Sequence, residues 1–256
     1  MVRKLKLTIA YDGTRYAGWQ RQRGRRQGVP RPTIQATLER VLNTILREPV
    51  TVVGSGRTDA GVHACAQVAH VATRSTVACD RLCRSANQLL PPDLAITQLE
   101  EVPATFHARF SACSKRYRYR LFTGAVVPPF IRPYVCHVRA PLQVARMRRE
   151  ASALRGRHEF RAFARARPFS GGTVRTITHA SLRRRGDELQ LELEGNGFLH
   201  TMVRSIVGTL VDVGRGRLPP GTIRRMLRRG ERQLAGTTAP PCGLVLLGVT
   251  YRTPHG

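Results

Sequence analysis

One stretch of the chain places three glycines, an arginine and an aspartate within eight residues: Gly54-Ser55-Gly56-Arg57-Thr58-Asp59-Ala60-Gly61-Val62-His63-Ala64. It follows a β-branched run over residues 50–53, and a second strand-like run over residues 63–72 comes after it. Dense glycine allows positive φ and close approach of the backbone to other groups. The stretch is therefore predicted to be a loop between two strands that presents the carboxylate of Asp59 beside the guanidinium of Arg57.

Known glycine motifs do not account for this loop. A phosphate-binding P-loop requires Lys followed by Ser or Thr after its last glycine, and neither residue is present. In the dinucleotide fingerprint G-x-G-x-x-G, Asp59 would occupy the position of the third glycine. Spacing alone leaves two interpretations open, a salt-bridged surface turn or a loop that positions a catalytic acid or base.

The charge of the chain is extreme. Its 256 residues include 43 Lys plus Arg against 16 Asp plus Glu, which gives a net charge of +27. A charge of this size concentrates polyanions around a protein, so nucleic acid is the expected partner. A GC-rich genome would explain the preference for Arg over Lys, but it would not explain the shortage of acids.

The remaining composition indicates a folded protein of the cytosol. A hydrophobic fraction of 41% is enough for a packed core. The six cysteines form no C-x-x-C pair, so neither a zinc ribbon nor a redox dithiol is predicted, and reduced thiols are expected. The chain opens on a strand pattern rather than a signal peptide, and no apolar run approaches the ~20 residues of a membrane span.

Hydrophobic periodicity predicts the same order of elements twice. The elements predicted in the first half are a strand over 4–11, a basic flexible loop over 22–31, a helix capped by Thr33, strands over 50–53 and 63–72, a helix capped by Asp80 and a strand over 94–99. Those predicted in the second half are a strand over 113–122, a helix with Pro141 in its first turn, a hairpin around Gly186, helices over 200–213 and 222–229 and a strand over 244–251.

Both halves thus have the order β-α-β-β-α-β, with one additional helix in the second. This order predicts an α+β protein of two ferredoxin-like, RRM-like domains, each with helices on one face of an antiparallel sheet. The predicted boundary lies near Pro103, so the domains are residues 1–103, which carry the Asp59 loop, and residues 104–256. Fold alone assigns no function.

Four more stretches contain residue combinations that neither turn formation nor core packing explains. They are Tyr11–Thr14 with Gly18–Gln20, Phe106–Phe110 with Tyr117–Tyr119, Gly195–Gly208, and Thr238–Leu244. Trp19 and Phe198 are predicted to be core or interface residues, and the periodicity of Tyr117 also fits a core position. Arg204 interrupts an apolar helix, so it requires an anionic partner such as a carboxylate or phosphate.

Taken together, these residues resemble the TruA family of tRNA pseudouridine synthases over nearly the whole chain. The resemblance is centred on the Gly54–Ala64 loop. It implies Asp59 as the catalytic aspartate, with Arg57 as its neighbour and Arg204 as a charge partner. It also implies that Tyr117 stacks on the target base.

The same resemblance implies the wider properties of the protein. It implies a cofactor-free, cytoplasmic homodimer without a catalytic metal, in which a basic cleft between two domains holds tRNA. The targets would be uridines at positions 38–40 of the anticodon stem-loop. Two alternatives from other classes stay open, a non-catalytic RNA-binding or ribosome-associated protein and a nuclease. A metal-dependent nuclease usually clusters several carboxylates, whereas Asp59 has no acidic neighbour in its loop.

Overall fold

The computed structural model describes residues 1–21, 31–165 and 172–252. It is a mixed α+β structure whose strands pair mainly antiparallel, as the sequence predicted at the level of fold class. The predicted basic loop over 22–31 lies outside the described residues, except for Arg31. Within the described residues, no helix combines the length and the apolar character needed to cross a membrane.

The chain forms two compact units, Met1–Cys113 with Val245–Gly256, and Ser114–Leu244. The predicted division at residue 103 differs from these units in two respects. The first unit continues to Cys113 instead of ending near Pro103, and it also includes the C-terminal strand. That recruitment depends on strand pairing between distant segments, which periodicity does not encode.

The elements of the first unit are β1 (Arg3–Tyr11), α1 (Ile34–Leu46), β2 (Val53–Gly54), β3 (His63–Thr73), α2 (Cys79–Leu89), β4 (Leu94–Val102) and β10 (Leu244–Tyr251, all but its first residue). Strands β4 and β1 pair antiparallel, and so do β1 and β3. Strand β2 pairs antiparallel with the second half of β3, while β10 runs parallel to its start. The alternation predicted for β1 is confirmed, since Leu5, Leu7 and Ile9 are fully buried.

Two predictions for this unit are wrong in detail. A strand was predicted over 50–53, but only Val53 of that run is in β2. The backbone N–H groups of Val50 and Val52 instead donate to the side chains of Asn43 and Glu39 on α1, which removes them from the strand ladder. Helix α2 is capped by Ala78, so Asp80 lies inside the first turn, where its charge favours the helix dipole.

The elements of the second unit are β5 (Ala112–Phe122, all but its first two residues), β6 (Cys136–His137), α3 (Val144–Ser152), β7 (Gly156–Glu159), β8 (Val174–Arg185), β9 (Glu188–Gly195), α4 (Met202–Gly214) and α5 (Thr222–Arg229). The antiparallel order is β5-β9-β8-β7, and β6 pairs with the end of β5. The predicted hairpin is confirmed, with Gly186 at φ 56° in its turn.

The helix starts of this unit differ from prediction. Helix α3 begins at Val144 with Gln143 as its cap, so Pro141 precedes the first turn. Helix α4 begins at Met202 rather than His200, because Thr201 has a left-handed φ of 62°. Strand β7 was not predicted; only its pairing with β8 identifies its four residues as a strand.

Candidate active site

The Gly54–Ala64 loop leaves β2 and returns to β3, and its first half is tied to β3. Ser55 N–H donates to the Val68 carbonyl at 2.7 Å, and the Ser55 hydroxyl donates to Oε1 of Gln67 at 2.8 Å. Nε2 of Gln67 donates to the Gly56 carbonyl. Ser55 and Gln67 are fully buried, so the strand–loop junction is held by hydrogen bonds that water does not compete for.

The residue before Asp59 is fixed from two directions. The Thr58 carbonyl accepts from the Trp19 N–H at 3.1 Å, and its hydroxyl oxygen lies 2.9 Å from the phenol oxygen of Tyr11. Burial raises the pKa of Tyr11 to about 12, so the phenol is protonated and can donate. Trp19 is 2% exposed, which confirms the prediction that it is a core residue.

Glycine is required where the Tyr11–Gln20 segment packs against this loop. Gly18 has φ 98°, and a Cβ there would lie 2.7 Å from the Thr58 carbonyl oxygen. A Cβ on Gly13 would lie 2.0 Å from the carbonyl oxygen of Val62. Two of the stretches singled out in the sequence therefore form one packed structure, in which the first supports the loop.

The second half of the loop is a tight turn that begins at Asp59. Val62 N–H donates to the Asp59 carbonyl at 3.2 Å, and Gly61 supplies a φ of 77° at the third position of the turn. Asp59 is partly exposed and Arg57 is exposed, whereas Thr58 between them is buried. The backbone of the loop is thus anchored in the core while the two charged side chains stand at its surface.

The other two predicted site residues belong to the second unit. Tyr117 on β5 is 8% exposed, and its ring contacts Phe198 edge-on with centroids 5.0 Å apart. On the opposite face of β5, Arg118 and Arg120 pair with Glu192 and Glu188 of β9. Those ion pairs, together with burial of Tyr117, fix the orientation of this strand and restrict the Tyr117 ring.

Arg204 lies in the first turn of α4 and has a backbone partner. Its Nε donates to the Ala239 carbonyl at 2.8 Å, and Ala239 N–H donates to the Arg204 carbonyl at 3.1 Å. Helix α4 meets this segment closely, because a Cβ on Gly208 would lie 1.5 Å from the Thr237 carbonyl oxygen. The predicted anionic partner of Arg204 stays a prediction; the contact found here is with a carbonyl.

A family model described as tRNA pseudouridine synthase matches residues 7–111 and 151–252. The chain belongs to the tRNA pseudouridine synthase family. Three proteins named tRNA pseudouridine synthase A illustrate the similarity. The Brevibacillus brevis protein is 42% identical over 98% of this chain and 100% of its own length. The Exiguobacterium sp. protein is 42% identical over 98% of this chain and 98% of its own length. The Halalkalibacterium halodurans protein is 43% identical over 95% of this chain and 91% of its own length.

A crystal structure of a Cbf5-Nop10-Gar1 complex is a more distant match. It covers 95% of this chain and 58% of its own chain at 12% identity and a TM-score of 0.36, a similarity too low to carry an argument. Within the pseudouridine synthase family match, Arg57, Asp59 and Arg204 fall in the matched ranges, whereas Tyr117 lies in the interval between them.

The sequence analysis singled out Tyr11, Ser55 and Thr58 within their stretches, but it missed the contacts that support this pseudouridine synthase loop. The Tyr11–Thr58 and Ser55–Gln67 contacts join positions 47 and 12 residues apart, so no local pattern announces them. The available signal was that a buried Tyr requires a partner for its hydroxyl. The sequence also did not predict that Thr201 has a left-handed φ of 62°, a strained conformation for a β-branched residue.

Proposed function

We propose that Asp59 is the catalytic carboxylate with which this pseudouridine synthase isomerises uridines at positions 38–40 of the tRNA anticodon stem-loop. Membership of the family makes the protein an isomerase that acts on tRNA. The observation that carries the proposal for Asp59 is its setting. The partly exposed Asp59 follows Thr58, which is buried and makes two hydrogen bonds. Asp59 is also the first residue of the turn that contains Gly61.

Such a setting suits a charge that must act on a bound substrate. The isomerisation breaks the N1–C1′ bond, turns the uracil and joins C5 to C1′ without net oxidation or reduction. An ionised carboxylate can either attack covalently or remove a proton from the ribose. Both routes require its oxygen at a defined position, and a loop that is already anchored does not have to reorganise during the reaction.

The other residues have supporting roles in the proposal. A target uridine has to leave the base stack, and the ring of Tyr117 would stack on it, a contact worth ~1–3 kcal/mol per base. Arg57 and Arg204 would favour the ionised carboxylate or hold a neighbouring phosphate. The edge-on contact of Tyr117 with Phe198 and the Ala239 contact of Arg204 support these roles by restricting both side chains.

Tritium release from tRNA labelled with [5-³H]uridine tests the catalytic role, because bond formation at C5 displaces that hydrogen. Asp59→Asn is expected to abolish release while tRNA binding is retained. The matched control is Asp80→Asn, which removes an exposed carboxylate paired with Arg84 at 2.9 Å and should leave release unchanged. Undiminished release by Asp59→Asn would overturn the proposal. Binding without release by the wild-type protein would favour a non-catalytic RNA-binding protein.

We also propose that the two domains are ferredoxin-like and that the enzyme is a cytoplasmic homodimer. In the first unit β1 pairs with β4 and β3, β3 pairs with β2 as well as with β10, and α1 and α2 are the connecting helices, which supports the ferredoxin-like assignment there. Light scattering of the purified protein measures the oligomeric state. Twice the 28.5 kDa chain mass is expected, and a mass of one chain would contradict the dimer.

A further inference from the structure

Several arginines of the second unit gather around α5. Helix α5 packs against the short helical turns Arg161–Phe163 and Arg232–Leu234. The guanidinium of Arg161 lies against Gly230, where an added Cβ would fall 2.8 Å from it. Burial and the like charge of Arg165 lower the pKa of Arg232. We name this feature the α5 arginine surface; its members are Arg161, Arg165, Arg224, Arg228, Arg229 and Arg232.

Carboxylates do not balance this surface. Elsewhere in the unit, arginines such as Arg118 and Arg120 pair with glutamates. Among the described residues, no ion pair joins Arg224, Arg228 or Arg229 to an acid. Three acids lie in or near the surface. Glu150 and Glu159 accept hydrogen bonds from backbone N–H groups, and Glu231 is exposed in the segment after α5.

The surface is also rigidly supported. Ile223 and Met226 are fully buried, so they fix one face of α5 to the core of the unit. The buried Glu150 carboxylate accepts from the N–H groups of Gly221 and Ile223 at the start of the helix. Gly230, with φ 68°, closes the other end through its N–H bond to the Met226 carbonyl. The opposite face, with Arg224, Arg228 and Arg229, is exposed.

Like charges arranged in this way are destabilising until an anion neutralises them. Arg224 and Arg228 are i,i+4 neighbours, with Cβ atoms about 5–6 Å apart, a spacing at which like charges oppose the helix. Guanidinium groups bind phosphate oxygens in a bidentate fork. The exposed, rigid, unneutralised guanidinium groups of Arg224, Arg228 and Arg229 therefore fit a phosphodiester backbone, and the family substrate of this enzyme is an RNA.

We propose that the α5 arginine surface binds the phosphodiester backbone of the tRNA substrate and takes no part in the chemical step. The inference rests on the proposed function, since it names how the same substrate is held. It adds a set of binding residues distinct from Arg57, Asp59, Tyr117 and Arg204. Backbone contacts of this kind position a nucleic acid without reading its sequence.

The test compares two variants with equal loss of charge. One is R224Q/R228Q/R229Q, and the control is R40Q/R74Q/R81Q, which neutralises three exposed arginines of the first unit. Fluorescence anisotropy with unmodified tRNA measures Kd over a series of salt concentrations. The α5 variant is expected to bind at least about tenfold more weakly, with a slope of log Kd against log salt smaller by about 2, because each lost phosphate contact removes ~0.7. The control is expected to stay near wild type.

Catalysis and folding are measured separately. Single-turnover tritium release at saturating enzyme should be unchanged in the α5 variant, and R224K/R228K/R229K, which keeps the three charges, should restore most of the salt slope. Equal weakening by both charge-matched variants, or wild-type affinity in the α5 variant, would overturn the proposal. If the triple glutamine variant unfolds, the three single variants are measured, and each must weaken binding. Because anisotropy reports binding whether or not turnover occurs, failure of the Asp59 assignment leaves this result interpretable.

Discussion

The hydroxyl oxygen of Thr58 lies 2.9 Å from the phenol oxygen of Tyr11, and both residues are buried. This contact joins the end of β1 to the residue that precedes Asp59. The position of the proposed catalytic carboxylate therefore depends on a core strand as well as on the hydrogen bonds of the loop itself.

Tyr11→Phe removes the phenol that contacts Thr58. The Thr58 hydroxyl then loses a buried partner, at a cost of about 1–3 kcal/mol in the free energy of unfolding. We expect lower stability in urea and a slower single-turnover tritium release. Tyr16→Phe is the control, because the Tyr16 hydroxyl is bonded to Asp93 at 2.8 Å. It should lose stability without losing rate; an equal loss of rate in both variants would argue against a role for the Tyr11 contact.

Gly18→Ala introduces a Cβ 2.7 Å from the Thr58 carbonyl oxygen at a φ of 98°. A left-handed L-residue alone costs about 1–2 kcal/mol, and the clash adds to that cost. Gly216→Ala is the matched control, since Gly216 also has positive φ, at 75°, but no atom lies within 4 Å of an added Cβ. Urea unfolding should show the larger loss for Gly18→Ala, accompanied by reduced tritium release. Equal losses of stability in Gly18→Ala and Gly216→Ala would mean that the loop moves enough to accommodate the added Cβ.

Gly208→Ala tests the contact between α4 and the segment that bonds Arg204. An Ala in place of Gly inside a helix normally stabilises a protein by about 0.5–1 kcal/mol. Here the added Cβ would fall 1.5 Å from the Thr237 carbonyl oxygen, so the segment with Ala239 must move. We expect the opposite sign, a loss of thermal stability together with a lower rate. A rise in Tm would contradict the close packing.

His70 makes stability depend on pH. Burial, with the nearby charges of His107 and Lys4, lowers the pKa of His70 from 6.5 to about 4. Between these values the unfolded chain binds more protons than the folded one, so the free energy of unfolding falls as the pH is lowered from 6.5 towards 4. Above pH 6.5 His70 is neutral in both the folded and the unfolded state, so the free energy of unfolding keeps the full stabilisation from the neutral His70.

The check is urea unfolding across that pH range. His70→Asn keeps an acceptor for the Ala108 N–H, which donates to Nδ1 of His70, but it does not titrate. Its stability should depend less steeply on pH than that of the wild type. His200→Asn, at an exposed histidine, is measured alongside for comparison. A wild-type slope in His70→Asn would exclude His70 as the source.

Local patterns predicted the parts of the fold that depend on neighbouring residues. The alternation of Leu5, Leu7 and Ile9 identified a buried strand, and Thr33 was correctly predicted to cap α1. Where the prediction was wrong, a contact with a residue distant in sequence outweighed the local conformational preference. The run over 50–53 is β-branched, yet the side chains of Asn43 and Glu39 hold its N–H groups. Strand β7 exists because β8 pairs with it.

The sequence by itself determined the glycine-rich loop, its single carboxylate, the positive charge and the likeness to a family. These are properties of residue type and short spacing, which need no folded chain. Only the tertiary structure decided that Tyr11, Trp19 and Gly18 support that loop, and that α5 packs against the turns that carry Arg161 and Arg232. Contacts between distant positions form only when burial of apolar surface brings their strands and helices together.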